Sequence, residues 1–305
     1  MASVRGRDLG EALLAAEERR PMWALWWTGA LHFVTHKPLG AFGAFIALVL
    51  IVVAVFAPWI APQPYDKLSS EFLANPFTRG HIMGTDGQGR DIFSRIIYGA
   101  RVSVAVGFGA VAISAVVATA IGVVSGYFGG WLDTVIQRVV DAWMSIPTLI
   151  VLITVVRMLE PSLSTVTIAI GISLAGVSSR VSRSAVLGVK GNQYMEAAQA
   201  IGAGHTRIIT HYVLPNIFAT ILVLATAQLG FAILIEAMLS FLGFGVPPPT
   251  PAWGAMLGGQ ARDFILRQPW LSFWPGLAIC LVVYGFNVFG DAMRDVLDPR
   301  MRGVT

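Results

Sequence analysis

The sequence predicts an all-α integral membrane protein with six transmembrane helices. Of its 305 residues, 55% are hydrophobic and 12% charged, whereas about a quarter are charged in a soluble domain. The mean hydropathy is +0.70. The apolar residues also gather in blocks, and about 20 mostly apolar residues suffice for a helix to cross the hydrocarbon core.

The first block, 39–60, carries no charge and follows Lys37-Pro38. From Asp91 onward, apolar residues at 92, 93, 96 and 97 recur at helical spacing, with Arg90, Asp91, Ser94 and Arg95 opposite. They predict an interfacial helix feeding the second span, 102–127, also uncharged. The third, 142–156, is short and borrows residues from Thr134 onward. The fourth, 162–179, is rich in Ser, Thr and Gly, which suits close packing inside a bundle. The fifth and sixth, 213–235 and 269–290, are uncharged, and Trp270 and Trp274 stand as interfacial anchors at the entry of the sixth. The chain divides accordingly into a tail (1–38), a first transmembrane helix (39–61) and an extracytoplasmic loop with its interfacial helix (62–100). A core of five transmembrane helices with a 190–213 loop (101–292) and a second tail (293–305) complete it.

Orientation is read from the short loops. Arg180, Arg183, Lys190 and Arg207 crowd one connection, whereas 158–163 has no basic residue. The positive-inside bias then places the N-terminus and the 190–213 loop in the cytoplasm. A net charge of +4 fits that bias and gives no reason to invoke nucleic acid. In the N-terminal tail, an amphipathic stretch (8–20) and Trp23, Trp26 and Trp27 predict a segment lying on the membrane surface, with contact to a soluble partner as the alternative. No apolar stretch with a small-residue cleavage site precedes the first block, so it is expected to stay as an anchor.

Several chemistries lack their residues. The three lysines, Lys37, Lys67 and Lys190, follow His, Asp and Val, so no Gly-Lys-Ser/Thr phosphate loop exists. His32 and His36 have metal-ligand spacing but no third ligand. Cys280 is the single cysteine, which excludes an intrachain disulfide. No nucleophile–base pair lies in the spans, so no catalytic residue is assigned.

Residues 194–215 read as helix, turn, helix between two spans. Glu196 to Ile201 form helix readily; Gly202 and Gly204 allow the left-handed residue that ends it. Thr206 can cap the next helix, and Pro215 opens the fifth span. Ala197 and Ala198 leave room for a partner backbone, and Glu196 offers a charge to an arginine or helix terminus. Glu196-Ala197-Ala198, Gly202 and Leu214-Pro215 together resemble the EAA motif of the membrane subunits of ABC importers, with Tyr212 standing where an aliphatic residue is usual. Gly84-Thr85-Asp86, Gly89-Arg90-Asp91, Gly99-Ala100-Arg101, Phe241-Leu242-Gly243 and the run from Phe286-Asn287 to Asp298-Pro299-Arg300 extend the likeness over most of the chain. They resemble the C-type permease of dipeptide/oligopeptide/nickel ABC importers.

That resemblance implies a type I ABC importer permease with cytoplasmic coupling helices, multi-pass in the bacterial inner membrane. Glu196, Ala197, Ala198, Gly202, Leu214 and Pro215 would couple to the ATPase. Its partners would be a homologous B-type permease, two cytoplasmic ATPases that bind ATP and Mg, and an extracytoplasmic solute-binding protein; this chain itself would bind no cofactor. The substrate implied is a di- or oligopeptide, with nickel chelates, glutathione or opines as alternatives. A proton-coupled secondary carrier is the competing class, and it needs a mid-span carboxylate, whereas Glu236 sits near a span end.

Two further groups are candidates. Asp86, Arg90 and Asp91 either contact a docked binding protein or form a capped helix start with local ion pairs. The stiff Pro247–Pro249 stretch of the 243–268 loop offers a landing surface for a soluble partner. Gln228, Glu236 and Asn287 either line the pore or hold helices together through hydrogen bonds; Asp291 is expected to pair with Arg294.

Overall fold

The computed structural model describes residues 33–78 and 80–297. The amphipathic tail, its tryptophans, His32 and the last residues of the C-terminal tail lie outside them.

Helix α1 (Pro38–Val55) starts with proline in its first turn, where no N–H is needed, and ends at Phe56. Pro58 is the reason for that end, since it cannot donate to the carbonyl four residues back. A single further turn, α2 (Ala57–Ile60), completes the first block. Helix α3 (Ile92–Phe128) is 37 residues long, about 56 Å at 1.5 Å per residue. The expected interfacial helix and second span are therefore one element, and the boundary drawn at 100 falls inside it. No proline interrupts these residues, and a helix this long must project beyond a ~30 Å hydrocarbon core.

The third span also differs from expectation. Helix α4 (Gly130–Ser145) and α5 (Thr148–Leu159) meet at 87°. Pro147 drives Ile146 into an extended conformation (φ −87°, ψ 129°) and stops α4 there. Helix α6 (Leu163–Lys190) is capped by Ser162 Oγ, which accepts from Thr165 N–H at 3.0 Å, and it continues past the expected end at 179. After the short α7 (Gln193–Ala200), helix α8 (His205–Phe241) runs through a π-helical turn at Ile209–Val213. Pro215 stands in the first turn of the regular α-helical segment Leu214–Phe241 that follows the π turn, where its missing N–H costs little, as expected of the residue that opens the fifth span. The short helices α9 (Trp253–Leu257) and α10 (Gln260–Phe264) precede α11 (Trp270–Leu297). Among the described residues, five helices are long and apolar enough to cross a membrane, and the bent α4–α5 pair, if it is one span, makes six.

Small residues let the long helices close on one another. A Cβ on Gly43 of α1 would lie 2.4 Å from Gly285 O of α11, and one on Gly122 of α3 would lie 2.5 Å from Ser182 Cβ of α6. Around these contacts Val106, Leu152, Ile170, Ile233 and Phe286 form the core. The helices alternate in direction, so Lys37, Gly129, the 191–204 turn and Asp295 share one end of the bundle. Lys37 Nζ donates to Asp295 Oδ2 there at 2.6 Å, whereas the expected Asp291–Arg294 pair does not form. The 61–91 and 243–269 loops share the other end.

Candidate functional site

Helix α7 has two unlike faces. Met195 and Ala198 are buried, Met195 in a cluster with Val123 and Tyr127 of α3, Val186 of α6 and Ile208 of α8. Tyr194, Ala197 and Ile201 face outward as an uncovered stripe, Ile201 being 82% exposed. A large aliphatic side chain that open is covered at little cost by a partner. Glu196 is exposed in the first turn, where its negative charge suits the positive helix terminus.

The helix ends in a Schellman turn. Gly202 adopts φ +76°, its N–H donates to Gln199 O at 2.9 Å, and Ala203 N–H donates to Ala198 O at 3.0 Å. Gly202 is thus the left-handed residue; Gly204 is extended (φ −67°, ψ 156°) and stands as the N-cap of α8. Thr206 lies within α8 and accepts at its carbonyl from Thr210 Oγ1, so it is not the cap.

Three ties brace the helices around this turn, and the first of them reaches its end at His205. Tyr127 Oη is hydrogen-bonded to His205 Nδ1 at 2.8 Å, and Lys190 Nζ donates to Tyr127 O at 2.8 Å. Arg183 of α6 donates from Nε and Nη2 to both oxygens of Asp133 of α4, at 2.6 and 2.5 Å, a two-point fork that also fixes orientation. Sequence reasoning missed all three, because the partners lie 50 to 78 residues apart.

The expected coupling residues therefore divide. Glu196, Ala197 and Gly202 reach the surface, and Ala198 packs inward. Leu214 joins the hydrophobic cluster, and Pro215 follows the π turn, where Asn216 Nδ2 donates to Tyr212 O at 2.6 Å.

At the opposite end, the 61–91 loop is a folded pad. Thr85, fully buried, is its hub: Oγ1 donates to Glu71 O at 2.6 Å and accepts from Ala74 N–H at 2.8 Å. Gly84 (φ +83°) lets the chain pass where a Cβ would lie 2.4 Å from Ala74 O. Asp86 accepts from Arg90 Nε at 2.7 Å and is partly exposed. Asp91 is not available to a partner. It is 4% exposed, caps α3 by accepting from Ser94 N–H at 2.8 Å, and is hydrogen-bonded to His81 Nδ1 at 2.9 Å. Beside the pad, Trp253 of α9 donates to Ile96 O at 2.9 Å and locks the second loop to α3.

Of the three intramembrane candidates, Gln228 joins three helices: Nε2 donates to Ser178 Oγ at 2.5 Å and Oε1 accepts from Ser114 Oγ at 3.3 Å. Glu236 is fully enclosed within this subunit; Oε1 accepts from Ser240 Oγ at 2.6 Å, and Oε2 has no hydrogen-bond partner among the described residues. Its position in α8 turns it toward its own bundle. Asn287 is exposed on α11, close to Gly230 of α8.

Comparison with known proteins agrees with this geometry. Residues 118–303 match the family model described as binding-protein-dependent transport system inner membrane component. Residues 25–76 match the N-terminal transmembrane domain of oligopeptide transport permease C. A dipeptide transport system permease of Alkalihalophilus pseudofirmus is 41% identical over 277 residues, covering 90% of each chain. One from Haemophilus influenzae is 40% identical, covering 89% of this chain and 98% of that one. A glutathione transport system permease of Escherichia coli is 37% identical over 95% of both. Among solved structures, an inward-facing MetNI methionine ABC transporter matches with TM-score 0.56 at 18% identity, over 67% of this chain and 96% of the other, a likeness of fold.

Proposed function

This chain belongs to the family of binding-protein-dependent transport system inner membrane components, as a multi-pass permease subunit of an ABC importer of type I fold, and we propose that it imports peptides. In this reading it sits in the bacterial inner membrane with its N-terminus and α7 in the cytoplasm. A homologous B-type permease completes the pore, two ATPases dock beneath it, and a solute-binding protein docks on the 61–91 and 243–268 loops. The chain holds no ATP or Mg itself; those belong to the ATPases. The peptide class rests on the names of its relatives, one of which transports the tripeptide glutathione.

The observation that carries the reading is the two-faced α7. Its inner face is fastened to α3, α6 and α8, and its outer stripe is open at the tip of the bundle. A push on that stripe by a closing ATPase dimer would pass through the buried Met195 cluster and the Tyr127–His205 bond into α3, α6 and α8, which run the length of the bundle. ATP then favours the outward-facing arrangement only through its differential affinity for the two states.

Ala197→Trp tests this. Ala197 is exposed, so the variant should insert and fold as the wild type while its bulk keeps the ATPase from seating. ATP-driven uptake of a dipeptide into proteoliposomes is expected to fall at least tenfold. Undiminished uptake would show that α7 is a mere connector.

A further inference from the structure

At the end of the bundle opposite α7, the two loops enclose a cavity of about 230 Å³. Ile92, Arg95, Val246 and Leu271 form its buried floor, and its mouth lies between the exposed Gln88 and Pro248. The walls are loop segments, the short helices α9 and α10 and the first turns of α3 and α11, so the cavity opens onto the loop surface rather than between the spans.

Arg95 is 7% exposed, yet its guanidinium is poorly matched. Asp86 Oδ2 already accepts from Arg90 Nε at 2.7 Å and stands 3.7 Å from Arg95 Nε, beyond hydrogen-bond length. Asp86 Oδ1 accepts from the backbone N–H of Gln88 at 2.9 Å and of Arg90 at 3.0 Å. Arg95 is left with one long bond, from Nη1 to Tyr65 O at 3.3 Å. Two guanidinium groups thus share one carboxylate whose lone pairs are taken. The N–H groups of Arg95 that lack a protein partner face the cavity it lines, where a carboxylate would satisfy them in a two-point fork.

We propose that this cavity receives one acidic side chain of the solute-binding protein, whose carboxylate pairs with Arg95. This rests on the reading that such a protein docks on these loops. The Arg95 charge in the floor, with Arg90 already paired to the single Asp86, disfavours lysine or arginine in the same place. Docking and release would then be governed by a single enclosed ion pair beneath an otherwise polar rim. Loss of one partner of such a pair raises the rate of dissociation more than it slows association.

The test measures the affinity of the importer's own solute-binding protein for the complete complex in nanodiscs, wild type against Arg95→Gln and Ala255→Phe. Ala255 lines the cavity from the exposed side of α9 and takes no part in the ion pairs, so its phenylalanine fills the space without breaking a bond. Each variant is expected to bind about 10- to 100-fold more weakly, the span of a charged hydrogen bond lost. ATP hydrolysis without binding protein should be unchanged. If Arg95→Gln fails to assemble, Ala255→Phe alone decides. Wild-type affinity in both variants would overturn this inference and leave the permease reading standing; a wild-type complex that binds no solute-binding protein would remove both. Direct binding of glycylglycine to the complex without binding protein, lost in Arg95→Gln, would reassign the cavity to the transported peptide and overturn the proposal.

Discussion

Serine placed at Gly202 and at Gly204 should give opposite results, although the two sites lie two residues apart in equally open space. An added Cβ meets nothing within 4 Å at either position, so packing cancels from the comparison. At Gly202, φ is +76°, and a left-handed conformation costs a residue with a Cβ about 1–2 kcal/mol. That converts to a roughly 5- to 30-fold rise in the population of the opened turn. At Gly204 the backbone is extended and occupies the N-cap of α8, where serine is preferred and its hydroxyl can accept from a first-turn N–H. Gly204→Ser should therefore be neutral or stabilising by a few tenths of a kcal/mol. Hydrogen exchange of the 193–205 amides, read in the assembled complex, measures both. The Gly202 and Ala203 amides, which close the Schellman turn, should exchange about 5- to 30-fold faster in Gly202→Ser and no faster in Gly204→Ser. Coupling efficiency, as peptide imported per ATP hydrolysed, should fall only in the first. Equal exchange in the two variants would refute the assignment of Gly202 as the strained closure of α7.

Three other outcomes follow from the same structure. Thr85→Val deletes a fully buried hydroxyl with two bonds and strands Ala74 N–H, so it should cost about 1–3 kcal/mol locally; limited proteolysis should cut within 61–91 while the spans stay protected. In a Cys280→Ser background, a cysteine at Ser70 should react with an impermeant thiol reagent added to intact cells and one at Gln199 should not; the reverse pattern would invert the topology. Gly43→Ala should separate α1 from α11, since its Cβ would lie 2.4 Å from a backbone oxygen that cannot swing aside, and the unfolding temperature of the purified complex should drop by several degrees.

The helix-forming blocks were legible because burial in lipid demands long uncharged runs, and the α7 turn because glycine and alanine were required at fixed places. What sequence left open traces to proline and to distance. Pro147 lies in the middle of an apolar run that hydropathy averages over, so the bend between α4 and α5 does not register in a window. Asp91 and Glu236 read as candidates for contact because charges near a surface or in a membrane draw attention. Their local partners, Ser94 and Ser240, three and four residues on, were visible in the sequence and each takes one oxygen of its carboxylate. The partners that fasten α7 could not be seen, since a tyrosine at the end of one span and a histidine 78 residues later carry no mutual signature. Arg95 was read only as the polar side of an interfacial helix. Its burial depends on a second loop more than 150 residues away folding over it.

The π turn at Ile209–Val213 fixes a rotational phase. Ile208 and Val213 are both buried in one cluster, although residues five apart on a regular α-helix point about 140° away from each other. The widened turn supplies the extra residue that brings them back onto one side, and Ile217, one regular turn later, continues the line. The membrane-embedded part of α8 and the part that carries the Gly204 turn are thus two helical segments clocked by one residue relative to each other. Unwinding the π turn into a regular one would swing the attachment point of α7 about 100° around the axis of α8 while the span below stood still. A rotation of that kind turns a change at the tip into a choice between two facings of one cylinder.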